Sequence, residues 1–206
     1  MRYLACSLFF GTALSAQDRF PVDWRKLEPE ILAKFTTLLQ IDTSNPPGNE
    51  SKAAAAIKVL LEREGIPCAT YALDPARANL VARIPGNGKK RPLLLMGHTD
   101  VVGVQREKWP VDPFAALNKN GLITARGARD DKPHVVAGIM ILLLLKRMHI
   151  PLDRDVIFLA EAGEEGTSTF GMARKACPEA IDEGKQRFGG RLPCRRHVTK
   201  VAWSAE

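Results

Sequence analysis

Apolar residues recur three and four positions apart in several segments, which is the spacing of one face of a helix. This spacing predicts a first helix over residues 28–39, with Pro29 in its first turn, where a proline is tolerated. It predicts a second helix over 51–64 that ends at Gly65, and a buried third helix over 135–148. The apolar face of the first helix consists of Ile31, Phe35, Leu38 and Leu39.

Four shorter apolar runs, at 68–73, 79–84, 93–96 and 155–160, predict strands. The run 93–96 is continuously apolar and bounded by proline and glycine, so we expect a strand buried on both faces. The run 155–160 predicts a second central strand. Strands that alternate with helices indicate an α/β fold, a sheet covered by helices on both faces. Ligands of such folds bind beyond the carboxyl ends of the strands.

Ionisable side chains stand at those strand ends. His98 and Asp100 follow the run 93–96, Asp130 precedes the third helix, and Glu164 and Glu165 follow the run 155–160. One imidazole and several carboxylates drawn from distant positions are typical of a transition-metal site. Each cluster alone is more typical of solvated or helix-capping charges, so the prediction rests on their combination.

The spacing within each cluster allows its residues to take different roles at a metal site. The carboxylate of Asp100 can reach the second ring nitrogen of His98 and fix its tautomer. Asp130 has an oxygen for each of two cations. Of the adjacent Glu164 and Glu165, one can bind metal while the other acts as general base toward water.

Five segments, in this order, make the chain resemble the di-zinc metallopeptidase family that contains aminoacylase, acetylornithine deacetylase, succinyl-diaminopimelate desuccinylase and glutamate carboxypeptidase. The resemblance covers residues 24–171 and implies a three-layer αβα sheet of the zinc-peptidase type. The catalytic domain is interpreted as truncated to its N-terminal part, without the lid or dimerisation domain of the family. The segments are 41–50, 96–102, 109–114, 126–132 and 158–166.

The resemblance also implies a role for each candidate residue. His98 and Glu165 would bind one zinc each, and Asp130 would bridge the two ions, often with a cis peptide bond after it. Asp100 would orient His98, and Glu164 would be the general base. The implied substrate is an amide bond of a small peptide or an N-acyl amino acid. Mixed imidazole and carboxylate ligands would also accept cobalt or manganese.

The N-terminal residues 1–16 have the layout of a signal peptide: Arg2, an apolar stretch over 3–14, and the small residues Ala13 and Ser15. The sequence therefore predicts export to the periplasm or the extracellular space. The apolar stretch is shorter than the ~20 residues that span a bilayer, so no stable membrane association is expected after its removal.

Residues 172–206 do not follow the family pattern, which supplies two further metal ligands and a dimerisation domain beyond this point. Asp182 and His197 do not match the positions of those ligands. We interpret this segment as a divergent tail, frame-shifted or poorly ordered. Two interpretations therefore stay open: a metal-dependent hydrolase, and a non-catalytic fragment that binds metal or a partner weakly.

The composition and the net charge exclude several other classes of protein. The chain has 206 residues, of which 45% are hydrophobic and 26% charged, values that exclude a disordered or polytopic membrane protein. A net charge of +7 is compatible with binding to nucleic acid. However, eight of the 30 basic residues lie after Gly171, and no basic stripe with interleaved aromatic residues accompanies them. We therefore predict no nucleic-acid partner.

Overall fold

The computed structural model describes residues 20–166 and 199–200. The predictions for the signal peptide and for nearly all of the tail lie outside the described residues. The described helices are α1 (Trp24–Leu39), α2 (Glu50–Arg63) and α3 (Lys132–Arg147). The strands are β1 (Ser44–Asn45), β2 (Cys68–Ala72), β3 (Ala78–Ile84), β4 (Leu93–His98), β5 (Val101–Val102), β6 (Leu117–Lys119), β7 (Leu122–Thr124), β8 (Val156–Glu161) and β9 (Thr199–Lys200).

Five strands form the main sheet in the order β4-β8-β3-β2-β9. Strands β4 and β8 run parallel, with α3 in the connection between them, whereas β3, β2 and β9 pair in antiparallel fashion. The predicted α/β class is confirmed, and the sheet is mixed. Because β4 and β8 are parallel neighbours, their carboxyl ends lie side by side, as the sequence argument requires.

One hydrophobic core lies between the sheet and the described helices. Helices α2 and α3 pack against the sheet and α1 packs against α3. Alternate residues of β8, among them Phe158, point into this core together with Leu80 of β3 and Ile139 of α3. Within residues 20–166 the helical layer therefore covers one face of the sheet. None of the helices described here has the length and apolar character needed to cross a membrane.

The prediction that residues 93–96 are buried on both faces is wrong. In the described part of the chain β4 pairs only with β8 and lies at an edge of the sheet. Leu93, Leu94 and Met96 are 43%, 45% and 51% exposed. A continuous apolar run shows that both faces of a strand are apolar, but not which neighbours cover them.

Two helices begin earlier than predicted. Helix α1 begins at Trp24, and the side chain of Asp23 caps it by accepting a hydrogen bond from the backbone N–H of Lys26. Pro29 therefore lies inside the helix and not in its first turn. Helix α3 begins at Lys132 with Pro133 in its first turn, which matches the preference of proline for that position.

Lys132 joins the beginning of α3 to the end of α1. Its side chain is 1% exposed, and its ammonium donates hydrogen bonds to the carbonyl oxygens of Leu38 and Ile41, each 2.8 Å long. These carbonyls lie at the end of α1, where a helix has acceptors without intrahelical donors and favours a cation. Burial lowers the pKa of Lys132 to about 8, although the charge of Asp42 opposes this shift. The residues just before α3 are thereby fixed relative to the loop that follows α1.

We expect Gly138→Ala to destabilise the protein, although this change usually stabilises a helix by about 1 kcal/mol. A Cβ atom at position 138 of α3 would lie 2.6 Å from Cδ2 of Phe158, whose ring is fully buried. Such overpacking costs roughly 1–3 kcal/mol of unfolding free energy, measurable by urea denaturation. The control is Gly103→Ala, because a Cβ there meets no atom within 4 Å. In the double variant Gly138→Ala/Phe158→Leu, part of the lost unfolding free energy should return, because the smaller side chain leaves room for the Cβ atom. A Gly138→Ala variant more stable than the unsubstituted protein would contradict the described packing.

Arg147, at the end of α3, holds the other two described helices together at the surface. Its guanidinium donates two hydrogen bonds to Glu30 of α1 and two to Glu64 at the end of α2. These hydrogen bonds lower the pKa of Glu30 to about 2 from its ordinary 4.5, and lower that of Glu64 as well. A carboxylate with a lowered pKa contributes stability above pH 4.5, which is lost as the pH falls toward 2.

We therefore expect Arg147→Met to lower the unfolding free energy at pH 7 by about 1 kcal/mol, the scale of half-exposed ion pairs. The difference from the unsubstituted protein should shrink as the pH falls from 4.5 toward 2. Denaturation curves across this range measure it. Arg25→Met, which removes an equal charge from the exposed first turn of α1, should show no comparable dependence on pH. A deficit that stayed constant to pH 2 would contradict this assignment.

Candidate metal centre

The candidate site begins where β4 and β8 end. His98 and Glu161 are paired in register as the last residues of the two strands. Thr99 then continues the contact: its backbone N–H and its hydroxyl donate to the carbonyl of Glu161, at 2.8 and 2.9 Å. The loops that carry Asp100 and Glu164 therefore leave the sheet next to each other.

The imidazole of His98 is held from one side and open to carboxylates on the other. Its Nδ1 lies 3.0 Å from the carbonyl oxygen of Asp100 and 3.4 Å from the Oδ1 atom of the same residue. Its Nε2 lies 3.1 Å from Oδ1 of Asp130 and 3.7 Å from Oε2 of Glu164. With Nδ1 engaged by Asp100, Nε2 is the atom that faces the proposed metal position.

Asp100 binds more groups than the sequence suggested. Its carboxylate is fully buried and accepts hydrogen bonds from the backbone N–H groups of Glu164 and Glu165, at 3.1 and 2.9 Å. The side-chain amide of Asn45 donates a further bond of 3.0 Å to its Oδ2. Asp100 therefore orients both the imidazole of His98 and the turn that carries the two glutamates.

The structure brings two of the predicted ligands, His98 and Glu165, together with Glu164, the predicted general base. One ligand atom each from His98, Glu164 and Glu165 lie within 4.8 Å of one another. Asp130 lies outside this group of three, but its Oδ1 is 3.1 Å from Nε2 of His98. The peptide bond between Asp130 and Asp131 is cis, as the resemblance implies. Asp131 also accepts a hydrogen bond of 3.1 Å from the backbone N–H of His98.

The charges of the cluster suit a cation. Burial raises the pKa of Glu165, and the negative charges of Asp130 and Glu164 add to this effect. Burial alone would lower the pKa of His98, but hydrogen bonds to Asp100 and Asp130 and the charge of Asp100 raise it to about 9. A divalent ion would relieve the repulsion among these carboxylates. Imidazole nitrogen and carboxylate oxygen are donors that such ions accept, so the residues present fit a metal.

The side chains of the cluster differ in their exposure to solvent. Asp100 is fully buried and the His98 side chain is 9% exposed, whereas Glu164 is 57% and Asp130 73% exposed. The two carboxylates are therefore open to solvent, whereas the two other side chains are enclosed by protein.

Sequence reasoning missed two asparagines at this site. Asn45 lies in segment 41–50, in which no site residue was predicted, yet its side chain contacts Asp100. Asn79 is fully buried in β3, and its Oδ1 accepts a hydrogen bond of 2.9 Å from the backbone N–H of Ala162, just beyond β8. A polar residue inside an apolar strand was the available signal for Asn79. The sequence carried no comparable signal for Asn45.

Part of the chain is similar in sequence to known proteins. The family described as peptidase family M20/M25/M40 matches residues 94–192. A deformylase of N-formyl-4-amino-5-aminomethyl-2-methylpyrimidine from Halalkalibacterium halodurans is 33% identical over 144 residues, covering 68% of this chain and 34% of the relative. The chain thus spans about a third of the length of the curated relatives that it matches.

Solved structures share the fold. Human carnosine dipeptidase 1 superposes with a TM-score of 0.60 at 22% identity, over 80% of this chain and 37% of that one. The YXEP protein of Bacillus subtilis, described as a dinuclear metal-binding peptidase, gives a TM-score of 0.51 at 20% identity, over 68% and 36%. These structures show the fold alone. The family match over residues 94–192, the curated relative and the ordered motifs show that this part of the chain belongs to peptidase family M20/M25/M40.

Proposed function

We propose that this chain carries part of the active site of a metal-dependent hydrolase that cleaves an amide bond in a small peptide or an N-acyl amino acid. The observation that carries the proposal is that ligand atoms of His98, Glu164 and Glu165 lie within 4.8 Å of one another, at the carboxyl ends of two parallel strands. The similar proteins support the substrate class, because their names describe a deformylase of an N-formyl compound and a dipeptidase.

We further propose zinc as the metal, with two ions per site. His98 would hold one ion through Nε2, Glu165 would hold the other, and Asp130 would lie between them. The dinuclear site named for the Bacillus subtilis protein supports this number. One imidazole among several carboxylates would also accept cobalt or manganese. When bound, such an ion supplies a Lewis acid for the amide carbonyl and lowers the pKa of water.

Glu164 is the proposed general base. Its carboxylate is 57% exposed and its Oε2 lies 3.7 Å from Nε2 of His98, so it borders the metal position without being enclosed. Oε2 would take a proton from the attacking water and give it to the nitrogen of the leaving amine. Two hydrogen bonds from the 164 and 165 backbone to Asp100 keep this carboxylate beside the imidazole.

The second candidate is a non-catalytic chain that binds metal weakly. One observation favours it: among the described residues the cluster contains a single histidine, His98, with carboxylates alone beside it. The measured number of metal ions per chain separates the two candidates. Two tightly held ions favour the hydrolase, and no retained ion favours the non-catalytic chain.

We also propose that the protein is exported to the periplasm or the extracellular space. The support is the sequence pattern of residues 1–16, a basic residue followed by an apolar stretch and small residues. N-terminal sequencing of the protein expressed with its native leader tests this proposal, since processing after Ser15 or Ala16 is expected.

We expect Glu164→Gln to reduce hydrolysis of N-acetyl amino acids and dipeptides by about 10²–10⁴-fold, the usual contribution of a general base. Metal affinity should change little, because the amide keeps the size and the backbone bonds of the residue. Initial rates on a substrate panel and a chelator competition measure the two quantities. Glu107→Gln, at an exposed position, is the control and should retain full activity. Equal rates for both variants would exclude Glu164 as the base.

We expect His98→Asn to reduce the number of metal ions retained after dialysis, because the buried Nε2 donor is lost. Metal content by mass spectrometry of the purified protein gives the count per chain. The control is His149→Asn: His149 has a φ of 50° after α3, a conformation that asparagine tolerates. Unchanged metal content in His98→Asn would remove His98 from the ligand set.

A further inference from the structure

Asn45 stands at the end of β1, a two-residue strand that pairs in parallel with β5. Residues 46 and 47 are prolines, so the chain turns away immediately after it. The side chain of Asn45 points across the site, where its Nδ2 donates to Oδ2 of Asp100 at 3.0 Å and to the backbone carbonyl of Glu165. A single amide group thus contacts both sides of the candidate metal centre.

We propose that Asn45 is a positioning residue that locks the turn of Glu164 and Glu165 onto Asp100. The backbone N–H groups of this turn bind Asp100, and Asn45 closes the arrangement by binding Asp100 and the carbonyl of the turn together. The ligand atoms of His98 and Glu165 thereby keep a fixed separation. That last step rests on the proposed function, whereas the locking of the turn does not.

The loop that presents Asn45 is itself held at several points. The hydroxyl of Thr43 donates to the carbonyl of Thr99 at 2.6 Å, and the backbone N–H of Val101 donates to the carbonyl of Thr43 at 3.2 Å. On the other side of Asn45, the N–H of Gly48 donates to the carbonyl of Ser44 at 2.8 Å. Asn45 therefore sits on a fixed backbone, which is the condition for a side chain to position others.

The backbone after Asn45 is also held in place by Gly48 and by the ion pair of Glu50 with Arg77. The carboxylate of Glu50 is fully buried and is bound by the guanidinium of Arg77 through Nε, at 3.1 Å to each oxygen. Gly48 has a φ of +85°, and a Cβ there would lie 2.6 Å from Oε2 of Glu50. The turn after Asn45 thus follows a path that favours glycine, next to the buried ion pair of Glu50 and Arg77.

The chemistry of the two contacts requires an amide. Both partners of Asn45, the carboxylate of Asp100 and the carbonyl of Glu165, are acceptors, and an NH₂ group has two hydrogens to give them. An aspartate at position 45 would have the same shape but would place a second carboxylate against Asp100. A serine would be neutral but too short to reach both acceptors.

The test compares Asn45→Asp with Asn49→Asp in the full chain. Asn49 lies in the same loop and caps α2 without a side-chain hydrogen bond, so its substitution adds the same charge at a position where aspartate is equally suitable. Two quantities are measured: amide hydrogen exchange of Glu164 and Glu165 without metal, and zinc affinity by competition with a chromogenic chelator. Asn45→Ser serves as the neutral variant, and decides the question if Asn45→Asp does not fold.

We expect Asn45→Asp and Asn45→Ser to speed exchange at Glu164 and Glu165 by about tenfold or more. We expect them to weaken zinc binding by about 10–100-fold, the range for groups that orient metal ligands. Asn49→Asp should change neither quantity. Unchanged exchange at both amides in the Asn45 variants would overturn the inference, whatever the metal does. If the unsubstituted protein bound no zinc while the Asn45 variants still exchanged faster, the proposed function would fail and the locking role would stand.

Discussion

The buried carboxylate of Asp100 is the interaction on which the candidate site depends. A buried carboxylate is costly unless its oxygens are hydrogen-bonded. Here the side chain of Asn45 and the backbone N–H groups of Glu164 and Glu165 supply those bonds from two separate segments. Burial by itself raises the pKa of Asp100, but hydrogen bonds from His98, Asn45 and the two glutamate amides lower it below its usual range. The negative charge therefore persists and fixes the parts of the site relative to one another.

The sheet and its helices supply the frame for this charge. Parallel pairing of β4 with β8 sets His98 beside Glu161, and Lys132 fixes the start of α3, next to Asp130, against the end of α1. Neither contact touches the proposed metal position. Together they determine where the residues that border it can lie, so the arrangement exists before any ion or substrate is added.

The sequence was sufficient for the three helices and for β2, β3, β4 and β8, because periodicity is a local pattern. It did not predict the shorter strands β1, β5, β6, β7 and β9, which have two or three residues each. It was not sufficient for the exposure of Leu94 and Met96, since an apolar run does not identify the neighbours of a strand. It placed Pro29 in the wrong turn because the capping role of Asp23 was missed. The contacts of Asn45 could not be found, because they join residues that only the folded chain brings together.

The contact between Asn45 and Glu165 spans 120 positions of the chain. Closing so long a loop carries an entropy cost that must be met before the contact stabilises anything, and pairings of this kind form slowly. The metal cluster can therefore assemble only after β8 has joined β4 and residue 165 has left the ribosome. In a nascent chain, completion of the cluster by Glu165 would therefore report that β8 has already joined β4.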